Sequence, residues 1–131
     1  MKEKILKKWV KALRSGKYKK GQGQLAILKD SEDDNSKRVK YCCLGVLCDL
    51  YAKETGIKWD GDFFEEGSVT LPKAVMKWAG LKSDDPHVLK EENGHGNSSA
   101  ADLNDQTEPT VSFNKLADLL VKAQKERRLL H

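Results

Sequence analysis

The run Tyr41-Cys42-Cys43-Leu44-Gly45-Val46-Leu47-Cys48-Asp49-Leu50-Tyr51 constrains this chain more than any other stretch. It is the most apolar segment of a 131-residue sequence in which 34% of residues are charged and only 38% are hydrophobic. It is too short to cross a membrane, which takes roughly 18 consecutive apolar residues. Leu44, Leu47, Cys48, Leu50 and Tyr51 fall on more than one face of a helix, the pattern of a helix buried on several sides. The run therefore reads as a strand end passing into a buried helix over residues 44–55, stopped by Gly56, with the other elements arranged around it.

Those other elements carry the complementary pattern. Ile5, Leu6, Trp9, Val10 and Leu13 recur at helical spacing and predict an amphipathic helix over residues 2–15, with Trp9 as a core anchor and Gly16 as the stop. Residues 24–29 and 38–43 read as the two strands of a hairpin around the acidic tip 30–36. Residues 57–69 suggest two short strands around an acidic loop. Thr70, Pro72 and Gly80 bracket a short helix over 71–80. The polar stretch 82–98 holds one strand candidate at His87-Val88-Leu89. Residues 99–105 read as a helical turn. Ser112 caps a final helix over 112–126, with Phe113, Leu116, Leu119, Leu120 and Ala123 as its apolar stripe. The sum is a small single α+β domain spanning 1–131, of a size that buries a core without disulfides or metal.

Charge and cysteine usage narrow the function. Residues 1–29 carry ten Lys or Arg against one acid, Glu3, whereas the rest is net acidic and the whole chain is only +4. A basic opening segment suits an anionic partner, or serves as a solvated face. The start Met1-Lys2-Glu3-Lys4 has no apolar stretch behind its lysines, so a signal peptide is not expected, and a cytoplasmic protein without membrane contact is. Three cysteines, two of them adjacent, do not suggest a disulfide framework. Their Cys-Cys-x4-Cys spacing, with histidines scattered at 87, 95 and 131, does not suggest zinc, and no cofactor is expected.

Three candidate chemistries follow. The loop Gly16-Lys17-Tyr18-Lys19-Lys20-Gly21-Gln22-Gly23-Gln24 offers glycines that let backbone N–H groups approach a phosphate, lysines for charge and a tyrosine that can stack on a base. It lacks the Gly-Lys-Ser/Thr spacing of a P-loop. The turn Leu103-Asn104-Asp105 can stitch a loop together or hydrogen-bond a base or ribose. Cys42 or Cys43, at a strand-to-helix junction where a helix amino terminus lowers a thiol pKa, gives a thiol nucleophile with His95 as base and Asn104 or Asp105 as orienter; the alternative is core cysteine. Nucleic acid is not favoured, because no recognised motif or aromatic-studded sheet accompanies the basic segment.

The segments Trp9 to Tyr18, Gly21 to Leu25, Tyr41 to Leu50, Leu71-Pro72, Lys77 to Leu81, Leu103-Asn104-Asp105 and Ser112-Phe113 to Leu119, taken together, resemble a group of small accessory proteins of tailed phages and prophages. Cys-Cys-Leu-Gly-Val-Leu-Cys is the most specific part. The hairpin tip 30–36 and the link 106–110 depart from that pattern. The resemblance implies an anti-defence role in the host cytoplasm and assigns no catalytic residue. On it we expect a non-catalytic protein that sequesters a small anionic nucleotide-like signal. Arg14, Lys17 and Lys19 would hold phosphate, Tyr18 would stack on a base, and Gln22, Gln24, Asn104 and Asp105 would hydrogen-bond base or ribose. A homodimer enclosing the ligand is a further expectation. The alternatives are an inhibitor that docks its basic helix on an acidic host defence protein, and a cysteine-dependent hydrolase.

Overall fold

In the computed structural model, which describes residues 1–28, 38–59, 69–89, 97–107 and 110–125, the apolar run forms the centre of the molecule. Helix α1 spans Glu3–Arg14, strand β1 Ala26–Leu28, strand β2 Arg38–Tyr41, helix α2 Cys43–Thr55 and helix α3 Lys73–Ala79. Strands β3 (His87–Leu89) and β4 (Asn97–Ser99), helix α4 (Ala100–Asp105) and helix α5 (Phe113–Lys125) complete the order. Among the described residues the fold is α+β: helices packed on one another, with β1–β2 and β3–β4 as two separate antiparallel pairs.

α2 is helical because Cys42, extended at φ −80° and ψ 170°, turns the chain into it and accepts the Gly45 N–H on its sulfur at 3.4 Å. Gly56, at φ 80°, ends it in the left-handed conformation that glycine adopts without strain. Every residue from Cys43 to Cys48 is buried. Gly45 lies against Leu25, the residue before β1, so closely that a Cβ there would stand 1.7 Å from the Leu25 carbonyl oxygen. That carbonyl also accepts the Cys42 N–H at 3.1 Å, so the residue that opens α2 is tied backbone to backbone to the residue that precedes β1.

α1 and α5 close over this centre with their apolar stripes. Trp9 is fully buried, and its indole Nε1–H donates to the Cys43 carbonyl at 2.8 Å. Leu6, Val10 and Leu13 of α1 and Leu116, Leu120 and Ala123 of α5 join the same core. Ser112 accepts the Lys115 N–H at 3.1 Å and caps α5, as its position predicts. One expectation is corrected. Ile57, Lys58 and Trp59 form no strand: the Trp59 ring packs edge-on against Tyr41 at 5.9 Å and its indole donates to Asp49 at 3.1 Å. The hairpin tip 30–36, the acidic loop 60–68 and His95 lie outside the described residues.

Candidate binding site

The glycine-rich loop and the Leu103-Asn104-Asp105 turn meet, although more than 80 residues separate them. Asn104 is fully buried. Its Nδ2 donates to the Gly21 carbonyl at 2.7 Å and to Asp105 Oδ1 at 3.0 Å, and its Oδ1 accepts the Cys43 N–H at 3.0 Å. The loop, the α2 amino terminus and α4 are thus tied through one side chain. Asp105 Oδ1 also accepts the Gly23 N–H at 3.0 Å, and the Asp105 carbonyl accepts Gln22 Nε2 at 3.3 Å. A carboxylate of the protein itself therefore sits where a glycine N–H could meet a phosphate. Gly21 N–H donates to the Tyr41 carbonyl, and Tyr41 N–H to the Lys19 carbonyl, each at 2.8 Å, so the loop runs alongside β2. The loop has no room for a larger residue at Gly21, where a Cβ would stand 2.8 Å from Ile27 Cδ1 and 2.9 Å from Lys40 Cβ.

Tyr18 is half-buried and engaged on both its polar and its aromatic parts. Its hydroxyl donates to Asp49 Oδ2 at 2.6 Å and accepts from Lys53 Nζ at 3.1 Å. Its ring meets Tyr41 edge-on at 5.1 Å. Burial, then the Asp49 bond, pushes the phenol pKa up to about 12. Among the described residues Asp49 gathers three donors: Tyr18, the Trp59 indole and the Lys53 ammonium at 3.3 Å.

Two cavities flank the segment 14–18. A groove of about 830 Å³ runs between α1 and α5 over Leu6, Val10 and Val121, with Arg14, Ser15 and Lys17 along its edge. A smaller pocket of about 390 Å³ is lined by Leu13, Arg14, Gly16, Tyr18 and Lys20 and by Thr110, Ser112, Phe113 and Asn114 around the start of α5. Successive residues alternate sides, Ser15 and Lys17 toward the groove, Gly16 and Tyr18 toward the pocket, while Arg14 lines both. Arg14 ion-pairs with Asp118 at 2.6 Å, and the two side chains are 46% and 63% exposed, a pair that exchanges readily for another anion. Of the expected ligand residues, Arg14, Lys17 and Tyr18 line these cavities. Lys19, Gln22, Gln24, Asn104 and Asp105 line neither.

Lys20 and the amino terminus of α5 escaped the sequence reading. Partial burial lowers the Lys20 pKa, opposed by Asp105. Ser112, Phe113 and Asn114, at the start of a 13-residue helix and so near the positive end of its dipole, line the same pocket. An under-solvated ammonium beside such a terminus favours an anion. No local feature separates Lys20 from Lys17 and Lys19 in the sequence; only the fold does.

The cysteine expectation is corrected on one point. The helix start at Cys42 does not lower its pKa: burial pushes it up to about 11 despite the N–H groups of Gly45 and Leu44. Burial likewise raises the Cys43 and Cys48 thiols well above their ordinary value. Cys43 donates its S–H to the Ala100 carbonyl at 3.5 Å. All three are free, buried and protonated at neutral pH, the condition of packing rather than of nucleophiles. Among the described residues no cluster of His, Cys, Asp and Glu could hold a metal, and no helix is long and apolar enough to cross a membrane.

The fold and its cavities define a small α+β domain with a smaller pocket and a longer groove on either side of one arginine. The chain belongs to the family described as domain of unknown function DUF8296, which matches residues 1–125. No curated protein and no solved structure matches it.

Proposed function

We propose that this protein is a non-catalytic binding protein that sequesters a small anionic nucleotide-like ligand, acting in a host cytoplasm as a phage-type anti-defence factor. One observation carries the binding: Arg14 lines both the smaller pocket and the groove, with Lys20 on one side and Lys17 on the other. Phosphate at Arg14 displaces the exposed Asp118 at little cost. The pocket adds Lys20 and the α5 amino terminus, and the groove adds apolar floor for a base. Relative to the sequence expectation, Arg14 and Lys17 keep the anion, Lys20 takes the place of Lys19, and the Gly23 N–H is already taken by Asp105. Both cavities open to solvent, so tight sequestration calls for a second copy of the chain to close them.

A thermal-shift panel of cyclic di- and trinucleotides, ADP-ribose derivatives and linear nucleotides tests this. A ligand at 100 times its Kd adds about 2.7 kcal/mol, a rise on the order of 10 °C for a domain of this size. Arg14→Ala and Lys20→Ala abolish the rise, and mass spectrometry recovers the ligand chemically unchanged. A flat panel with wild-type protein refutes the proposal. The exposed lysines of α1 favour a second reading, docking on an acidic host protein. A salt-sensitive 1:1 complex with one defence protein, in the absence of nucleotide binding, selects that reading.

A further inference from the structure

The groove between α1 and α5 holds more positive charge than one anion at Arg14 uses. Lys7, Lys11 and Arg14 line it from α1 at positions i, i+4 and i+7, a row about 10 Å long. Lys17 lines it from the loop and Lys125 from α5. One acid stands among them, Glu3, paired with Lys7 at 3.7 Å. Arg14 has Asp118, but Lys11, Lys17 and Lys125 have no ion pair among the described residues. Under the charges lies apolar surface: Val121 is half-buried, Leu6 and Val10 show an edge, and the lysine stems add methylenes. Two packed helices leave a furrow of the kind that a third helix fills in a bundle.

Charge selects an anionic occupant, and shape selects among anions. A flat bilayer rests on the lysine tips and does not reach Val121. A nucleic-acid backbone meets the lysines with phosphate and leaves the floor without apolar cover. A second copy of the chain, with no anion between, sets the same cations against one another. An amphipathic helix with acidic flanks meets both demands, with aliphatic side chains on the floor and Asp or Glu beside Lys11, Lys17 and Lys125. We propose that the α1–α5 groove docks an acidic amphipathic helix of a partner protein. The assignment rests on the docking reading above and adds which face docks and what the partner presents to it.

Fluorescence anisotropy at one salt concentration, with labelled peptides of about five helical turns, separates the two levels. One peptide sets leucine and glutamate at helical spacing, a second scrambles the same composition so that no apolar face forms, and a third replaces glutamate by lysine. The expected result is binding of the first about 10-fold tighter than the second, and no binding of the third. Lys11→Glu with Lys125→Glu weakens the first peptide about 10-fold more than Lys58→Glu with Lys73→Glu, an equal change of charge at exposed lysines outside the groove. Lys11→Ala with Lys125→Ala serves in its place if the reversed pair does not fold. Equal binding of the two acidic peptides, or equal losses in the two double variants, overturns the groove and leaves charge-driven docking standing. Binding of neither acidic peptide overturns both the groove and the docking reading. Tighter binding of phosphatidylglycerol vesicles or single-stranded DNA, or a dimer that the groove variant dissociates, gives the groove another occupant and overturns the proposal.

Discussion

Replacing Asn104 by alanine tests whether the meeting of loop and turn is a structural joint. The change removes the bonds to the Cys43 N–H, the Gly21 carbonyl and Asp105 Oδ1. Cys43 and Gly21 are buried, whereas Asp105 is exposed and regains water. Two buried backbone groups left unpaired at about 1–3 kcal/mol each give a loss of roughly 2–6 kcal/mol, a large share of the 5–15 kcal/mol typical of a domain. With a urea m-value of about 1.5 kcal/mol per molar, the unfolding midpoint falls by about 1.5–4 M at unchanged slope. Asn104→Asp sharpens the test. Burial raises the folded pKa of the introduced carboxyl above its unfolded value of about 3.9, so the stability of the neutral acid is present below that pH and lost as pH rises through the folded pKa. The deficit of Asn104→Asp relative to wild type is therefore small near pH 4 and larger at pH 7. A midpoint for Asn104→Ala within about 0.5 M of wild type refutes the joint, and leaves ligand contact as the only use for this side chain.

The other outcomes concern the centre and the wall. Gly45→Ala drives a methyl into the Leu25 carbonyl and disturbs its bond to Cys42, so it should cost on the order of 3 kcal/mol or more, read as a midpoint shift in urea. Above neutrality the Cys42 thiol, ordinarily near 9.0 and raised to about 11, stabilises the fold below the lower value, and that contribution is lost as pH climbs through the upper; urea midpoints should hold to about pH 8.5 and then decline. In a phenolate absorbance titration one of the three tyrosines should ionise only near pH 12, and Tyr18→Phe should delete that phase. Arg14→Ala should lower stability by less than about 1 kcal/mol, since its ion pair is exposed, so any loss of ligand binding in that variant reports on the site.

The sequence announces an element well where periodicity and caps agree. α1 lies within a residue of expectation at both ends and α5 begins within a residue of it, and α2 follows from a run that is apolar on more than one face. β3 appears where His87-Val88-Leu89 suggests it. Its partner β4, Asn97-Ser98-Ser99, is wholly polar and is held by main-chain pairing, which leaves no trace in side-chain pattern. Ile57 to Trp59 has the composition of a strand, but its tryptophan finds a better partner in Tyr41 and Asp49. The candidate site divides in the same way. Arg14, Lys17 and Tyr18 stand out by charge and aromaticity. Lys20, Asp118 and the α5 start join them only through the packing of α1 against α5, and Asn104 proves to be anchored on backbone groups far away in sequence.

The three sulfurs packed inside α2 also equip the protein with a clock. Alkylating reagent reaches Cys42, Cys43 and Cys48 only when the centre swings open, because each is buried and protonated while it is shut. Pulsed labelling followed by intact-mass measurement therefore counts core-opening events directly, with no dye or tag. A molecule that closes the groove between α1 and α5 should slow that count, which makes ligand capture visible from the interior of the fold.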